Sequence, residues 1–217
     1  MKSILVIGLG RFGQHLVKKL SEYDNEILAI DRYEENSKLV EEYATYTQFG
    51  DCRSEKVLRS LGVGNFDLCF VCVGTEFQSS LEITALLKEL GAKYVISKAI
   101  SDIHAKFLSR NGADEVAYPE RDIAVRFATR HSAKILFDYY ELNDEYSIYE
   151  IPPLHEWVGK SFRDINLRNV YKLNVLATKQ DNEILSMPDA DHIVCANEHL
   201  IVMGNTKDAH KVLKRLD

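Results

Sequence analysis

Apolar residues fall along this chain in two rhythms. Unbroken runs such as Ile4-Leu5-Val6-Ile7, Ile27-Leu28-Ala29-Ile30 and Leu68-Cys69-Phe70-Val71-Cys72-Val73 suit strands buried on both faces. Further strands are expected over residues 45–49, 94–97 and 115–118. Between the runs lie segments with helical spacing. A helix follows Gly13, and another covers residues 34–43. A third runs to Leu61 with Ser54 as its cap, a fourth covers 76–90 and stops at Gly91, and a fifth covers 102–110 and stops at Asn111-Gly112. Strict alternation of strand and helix predicts an α/β fold with a parallel, doubly wound sheet.

The rhythm changes after Pro119. Over residues 121–142, apolar side chains recur at Ile123, Val125, Phe127, Ala128, Ile135, Leu136, Phe137 and Tyr140. That reads as one long helix with more apolar surface than one face needs, packed on its own sheet or on a second subunit. Asn143-Asp144-Glu145 then reads as a linker. Beyond it come a strand over 147–151 ended by Pro152-Pro153, a helix over 160–171, strands over 173–178, 183–186 and 199–203, and a helix over 206–216. The reading is two domains, 1–142 and 145–217, the second a small α+β lobe too short to be robust alone.

Composition adds exclusions. The chain has 217 residues, 46% of them hydrophobic and 28% charged, so a sizeable core can form. Net charge is −6. Residues 1–144 carry 18 basic and 22 acidic side chains and residues 145–217 carry 9 and 11, so neither half has a nucleic-acid footprint. No window approaches the length of a membrane-spanning helix. The first strand starts at the N-terminus, which leaves no room for a signal peptide. Cys69 and Cys72 have C-x-x-C spacing, but in a strand they face opposite ways and cannot share a metal. With Cys52 and Cys195 they suit a reducing cytoplasm.

The candidate chemistry sits at the strand tips. The first strand leads into Gly8-Leu9-Gly10-Arg11-Phe12-Gly13, and the second ends on Asp31. Strand, glycine turn, helix, strand and acid form a dinucleotide-type fingerprint. Gly8 permits the turn, Gly10 lets a phosphate approach the backbone, and Gly13 lets helix and strand pack closely. The helix N-terminus offers N–H groups to phosphates, and Asp31 can accept from ribose hydroxyls. Arg11 can meet extra phosphate charge or be solvated. Asp51 and Arg53, and Thr75 and Glu76, follow strands at the ends where ligands bind, or serve only as turn and cap residues. Glu120 is either a cation-bridging acid beside an anionic nucleotide or a helix-dipole acid. The seven histidines show no metal-binding spacing, and no nucleophile motif appears.

Together, Gly8-x-Gly10-Arg11-Phe12-Gly13, Asp31, Gly50-Asp51, Val73-Gly74, Ser97-Lys98-Ala99 and Pro119-Glu120-Arg121 resemble the RCK domains that regulate potassium conductance. The likeness is in particular to KtrA/KtrC-type cytosolic subunits of bacterial Ktr potassium transporters. It covers the whole chain, with residues 121–142 as the crossover helix between a Rossmann-type N-lobe and a C-lobe. The resemblance implies a homodimer assembling into an octameric ring, cytoplasmic and peripheral on the membrane through a potassium-translocating subunit. ATP would activate it and ADP inactivate it. The nucleotide residues implied are Gly8, Gly10, Arg11, Phe12, Gly13, Asp31, Arg32, Asp51, Cys52, Val73, Gly74, Thr75 and Lys98. Glu120 would sit near Mg²⁺ or Ca²⁺ between neighbouring nucleotides, and cyclic di-AMP would bind a C-lobe near Arg168 and Asn174. The expected function is nucleotide-sensing regulation rather than catalysis. The alternatives are an NAD(H)-binding redox sensor and a small NAD-dependent oxidoreductase.

Overall fold

Each apolar run of the N-terminal half is a parallel strand in a computed structural model that describes residues 1–74, 76–132, 138–143, 145–181 and 183–216. The strands are β1 (Lys2–Ile7), β2 (Asn25–Asp31), β3 (Tyr46–Phe49), β4 (Leu68–Val71), β5 (Val95–Lys98) and β6 (Glu115–Ala117). They lie in the order β3-β2-β1-β4-β5-β6, every neighbouring pair parallel. The chain runs outward from β1 to one edge, then returns to β1's other side. A crevice therefore opens at the carboxyl ends of β1 and β4, whose onward connections lead in opposite directions.

Both faces of this sheet are covered, as the unbroken runs require. Leu5, Ile7, Cys69 and Val71 pack with Leu58, Ile83 and Leu87 on one face. Ile4, Val6, Ile27 and Ala29 pack with Val17 and Val40 on the other. Cys69 and Cys72 fall in different clusters, as their spacing implies, and burial pushes both thiols up to about 12. The helices are α1 (Arg11–Leu20), α2 (Glu34–Lys38), α3 (Glu55–Leu61), α4 (Phe77–Glu89), α5 (Asp102–Arg110) and α6 (Pro119–Ser132). Two local expectations fail. Ser54 occupies the N-cap of α3, yet its side chain makes no capping hydrogen bond. Helix α2 stops at Lys38, after which tight i→i+3 turns at Leu39, Val40 and Glu41 carry Val40 into the core.

The region after α6 departs further from the sequence reading. Residues 133–137 lie outside the described ones, and a strand β7 (Asp138–Glu141) stands where helix was expected. It pairs antiparallel with β8 (Tyr146–Ile151). Asn143 is part of their connecting turn rather than of a linker, since its Oδ1 accepts the N–H groups of Glu145 and Tyr146. Ile123, Val125 and Phe127 of α6 remain exposed.

The chain divides into two compact units, Met1–Arg121 and Asp122–Asp217. The second contains an antiparallel sheet in the order β10-β9-β11-β8-β7, with β9 (Leu173–Gln180), β10 (Glu183–Ser186) and β11 (His199–Asn205). Tyr149, Ile151, Leu200 and Val202 alternate onto a core with Trp157, Ile165, Leu167, Ala209 and Val212. Helix α9 (Thr206–Leu213) supplies the last two. The helix expected over 160–171 is two short ones, α7 (Phe162–Ile165) and α8 (Leu167–Val170), parted by Asn166 at φ 51°. Asparagine tolerates that left-handed conformation better than most residues.

A buried polar network behind β5 carries one consequence for pH. His104, fully buried, sits with Nε2 2.7 Å from Ser80 Oγ, and Ile100 N–H donates to its Nδ1. Ser80 Oγ donates in turn to the Phe77 carbonyl. Only the neutral ring protonated on Nε2 satisfies all three bonds. Burial pushes the His104 pKa below its ordinary 6.5. The unfolded chain then binds this proton more readily than the folded one. His104 therefore contributes stability above about pH 6.5 that is lost as pH falls through the folded value. Wild type is expected to lose more melting temperature than His104→Gln between about pH 7.5 and pH 5.5. Equal losses in thermal melts would show that His104 is not the titrating group.

Candidate functional site

A cleft of about 280 Å³ opens at the carboxyl ends of β1, β2, β3 and β4. Gly8 and Gly10, Asp31 and Arg32, Asp51 and Cys52, and Val73 and Gly74 line it together. These residues come from four separate strand tips, and the parallel topology brings them to one place. Its floor is apolar, with Ile7, Ile30, Cys52, Val73 and Ile83. Burial pushes the Cys52 thiol up to about 12, so it stays a neutral thiol there.

The glycine turn is built by two close approaches. Gly8 has φ +92°, and a Cβ there would stand 3.0 Å from the backbone nitrogen of Val73. A Cβ on Gly13 would stand 2.0 Å from the carbonyl oxygen of Gly8. Gly10 differs, because its Cβ would meet nothing within 4 Å. It lines the cleft as the N-cap of α1, whose first turn holds no acidic side chain. This is a helix N-terminus open to an anion.

Asp31 is only 8% exposed, and backbone N–H groups fix both its oxygens. Oδ2 accepts from Leu9 at 2.7 Å and Oδ1 from Tyr33 at 2.9 Å. Each carboxylate oxygen has a second lone pair for a ligand hydroxyl. The same bonds tie the glycine turn to the tip of β2.

Charged pairs rim the cleft. Asp51 takes Arg53 through both oxygens, with Nη2 at 2.6 Å, and this bond holds the Asp51 carboxyl below the usual range. Arg32 meets Glu76 at 2.7 Å across the mouth. Glu76 is held below its ordinary value first by the Ser79 hydroxyl and then by Arg32. Arg53, Glu76, Tyr33, Asn36 and Ser79 line the cleft as well. The last three carry no motif, and only the fold reveals them.

Other expected site residues stand apart from these. Arg11 and Phe12 belong to the first turn of α1 and are not among the lining side chains, and Thr75 lies outside the described residues. Lys98 is largely buried and pairs with Glu120 at 2.6 Å. Its ammonium lies 5.5 Å from the Phe12 ring and would be 3.5 Å from a Cβ on Gly74. Lys98 holds the Glu120 carboxyl below its ordinary value. Among the described residues, no group of three His, Cys, Asp or Glu could hold a metal. Arg168 on α8 and Asn174 on β9 are both exposed.

An open helix N-terminus, a fixed acid at the tip of β2 and an apolar slot between them form a cleft with the chemistry of a Rossmann-type ligand site. The chain matches the TrkA-N domain over residues 4–119 and the TrkA-C domain over residues 146–217. It is 37% identical over 215 residues to Ktr system potassium uptake protein C of Bacillus subtilis, covering 99% of this chain and 97% of that one. It is also 37% identical over 207 residues to Ktr system potassium uptake protein A of the same organism, covering 95% and 93%. Among solved structures, the GsuK RCK domain superposes with a TM-score of 0.66 at 15% identity, over 98% of this chain and 47% of that one. No helix among the described residues is long and apolar enough to cross a membrane. With both domains matched in order and the likeness running the length of the Ktr proteins, the chain belongs to the TrkA-N/TrkA-C family of Ktr potassium uptake proteins.

Proposed function

We propose that this chain is a cytoplasmic regulatory subunit that binds adenine nucleotides and gates a membrane-embedded potassium-translocating partner. The observation that carries the reading is the Asp31 carboxylate, fixed by two backbone N–H groups at the rim of an apolar cleft beside an acid-free helix N-terminus. The described polar groups in the cleft serve binding, and nothing in this mechanism requires a bond to be made or broken. Solved GsuK chains are described as bound to NAD and to ADP, and a Rossmann-type cleft of this shape suits either nucleotide.

Signalling follows from a difference between ligands. A nucleotide shifts a ring of subunits only by as much as it binds one state better than another. ATP carries a γ-phosphate that ADP lacks, and we assign Arg11, on the first turn of α1, as the cation that meets it. ATP then favours the active octameric ring and ADP the inactive one. Mg²⁺ or Ca²⁺ held by phosphate oxygens and Glu120 would have to displace Lys98 from that carboxylate. Cyclic di-AMP is proposed at the exposed Arg168 and Asn174. Titration of the full chain with it tests that part, and absence of heat would remove it.

One experiment separates these parts. ATP, ADP, NAD and NADH are titrated into wild type, with and without Mg²⁺. Arg11→Ala is expected to weaken ATP more than ADP, by about tenfold for a lost charge-assisted contact. Glu120→Gln is expected to remove the Mg²⁺ dependence of ATP affinity while ATP still binds. Equal losses for ATP and ADP would move the γ-phosphate contact away from Arg11. An unaltered Mg²⁺ response would end the role of Glu120. Preference for NADH over ATP would replace the regulator of adenylate state with a redox sensor.

A further inference from the structure

The residue after Asp31 is an arginine, and its guanidinium is held by an acid of the chain itself. In Rossmann-type sites an arginine near this position is what accepts a 2′-phosphate. Arg32 stands directly after Asp31 at the tip of β2, yet its guanidinium bonds Glu76 at 2.7 Å and lies over the Tyr33 ring at 4.7 Å. Glu76 is itself fixed. It is the N-cap residue of α4, and its other oxygen accepts from Ser79 Oγ at 2.6 Å. The second arginine of the rim, Arg53, is committed to Asp51 through both oxygens of that carboxylate. Both cations at this end of the cleft are thus held by acids of the chain itself.

We infer that Glu76 is a specificity-determining residue that withholds Arg32 from the ribose and so makes the cleft reject nucleotides carrying a 2′-phosphate. This rests on the nucleotide-binding reading above. A 2′-phosphate would sit beside the Asp31 carboxylate and needs a cation to offset that repulsion. Glu76 adds a second negative charge and removes the nearest candidate cation. The ligand class accepted is an adenine nucleotide with a free 2′-hydroxyl. The cost of recruiting Arg32 is the opening of its contacts to Glu76 and Tyr33. Both side chains of the ion pair are more than a third exposed, which limits that cost.

The test compares AMP with adenosine 2′,5′-bisphosphate by calorimetric titration of the purified chain, reading the ratio of the two affinities. Wild type is expected to prefer AMP by about tenfold or more. Glu76→Gln keeps an acceptor for Ser79 but gives Arg32 no carboxylate. The preference for AMP is expected to narrow by about fivefold, which is the upper end for an exposed pair. Adding Arg32→Ala to Glu76→Gln is expected to restore the wild-type ratio. An unchanged ratio in Glu76→Gln overturns the inference. So does a double variant that keeps the narrowed ratio of Glu76→Gln, because Arg32 would then not be the cation released. Failure of AMP to bind wild type overturns the nucleotide reading as well, whereas AMP binding with an unmoved ratio overturns this inference only.

Discussion

Gly13→Ala is expected to leave little folded protein. The added methyl would stand 2.0 Å from the Gly8 carbonyl oxygen, and that oxygen is backbone. No rotamer change relieves it. Helix α1 would have to move off β1, pulling Val17 out of the core it shares with Ile4 and Val6. Overpacking at adaptable sites costs about 1–3 kcal/mol, and a backbone clash belongs above that range. Against a total of about 5–15 kcal/mol, the loss is large. Gly10→Ala supplies the contrast. Its methyl meets nothing within 4 Å, and φ −67° suits alanine. Stability is expected to fall by no more than about 1 kcal/mol, the scale of a changed N-cap. Nucleotide affinity should fall much further, because the methyl would stand where a phosphate approaches. Thermal melts and ATP titration of both variants check this. A wild-type melt for Gly13→Ala would show that helix and strand separate easily. Wild-type ATP affinity in Gly10→Ala would mean that the phosphates do not cross the first turn of α1.

These two glycines also mark what the residue pattern could show. Each local feature of the turn has a local cause, so its spacing alone specifies strand, turn and helix. The six parallel strands were legible for the same reason, since unbroken apolar runs have few other uses in a doubly wound sheet. The helix over 121–132 was legible, whereas Asp138–Glu141 was read as helix because periodicity does not distinguish a short strand from a turn of helix. The partner of β7 decides the matter, and Tyr139 opposite Tyr149 is a pairing that only the folded sheet reveals. Contacts between distant residues were likewise hidden. Ser80 and His104 are 24 positions apart, and neither belongs to a motif. Arg32 and Glu76 sit on different strand tips, and nothing in their spacing announces the ion pair. Lys98 and Glu120 were each legible as strand-tip charges, but not as partners of one another.

The second large effect is expected at Asp31. Asp31→Asn is nearly isosteric, yet it should be costly, because the carboxylate accepts on both oxygens. Oδ2 takes the buried N–H of Leu9 and Oδ1 the half-buried N–H of Tyr33. An asparagine offers one oxygen and one NH₂, so one of these N–H groups would face a donor. A buried donor left without an acceptor costs about 1–3 kcal/mol. Asp31→Ala leaves both donors unpaired and should cost more. The loss spreads into the site through Leu9, which sits between Gly8 and Gly10 and is tied to β2 by this bond. Nucleotide affinity falls for a second reason, the lost charge-assisted bonds to ribose, worth about 1.5–3 kcal/mol. ATP and ADP share the ribose, so both should weaken by the same factor, unlike the unequal losses expected at Arg11. Binding is to be measured well below the variant's melting temperature, so that unfolding does not pass for lost affinity. An unshifted melt in Asp31→Asn would show that the two backbone bonds contribute nothing. A shifted melt with unchanged ATP and ADP affinity would keep Asp31 as a structural brace and take the ribose away from it.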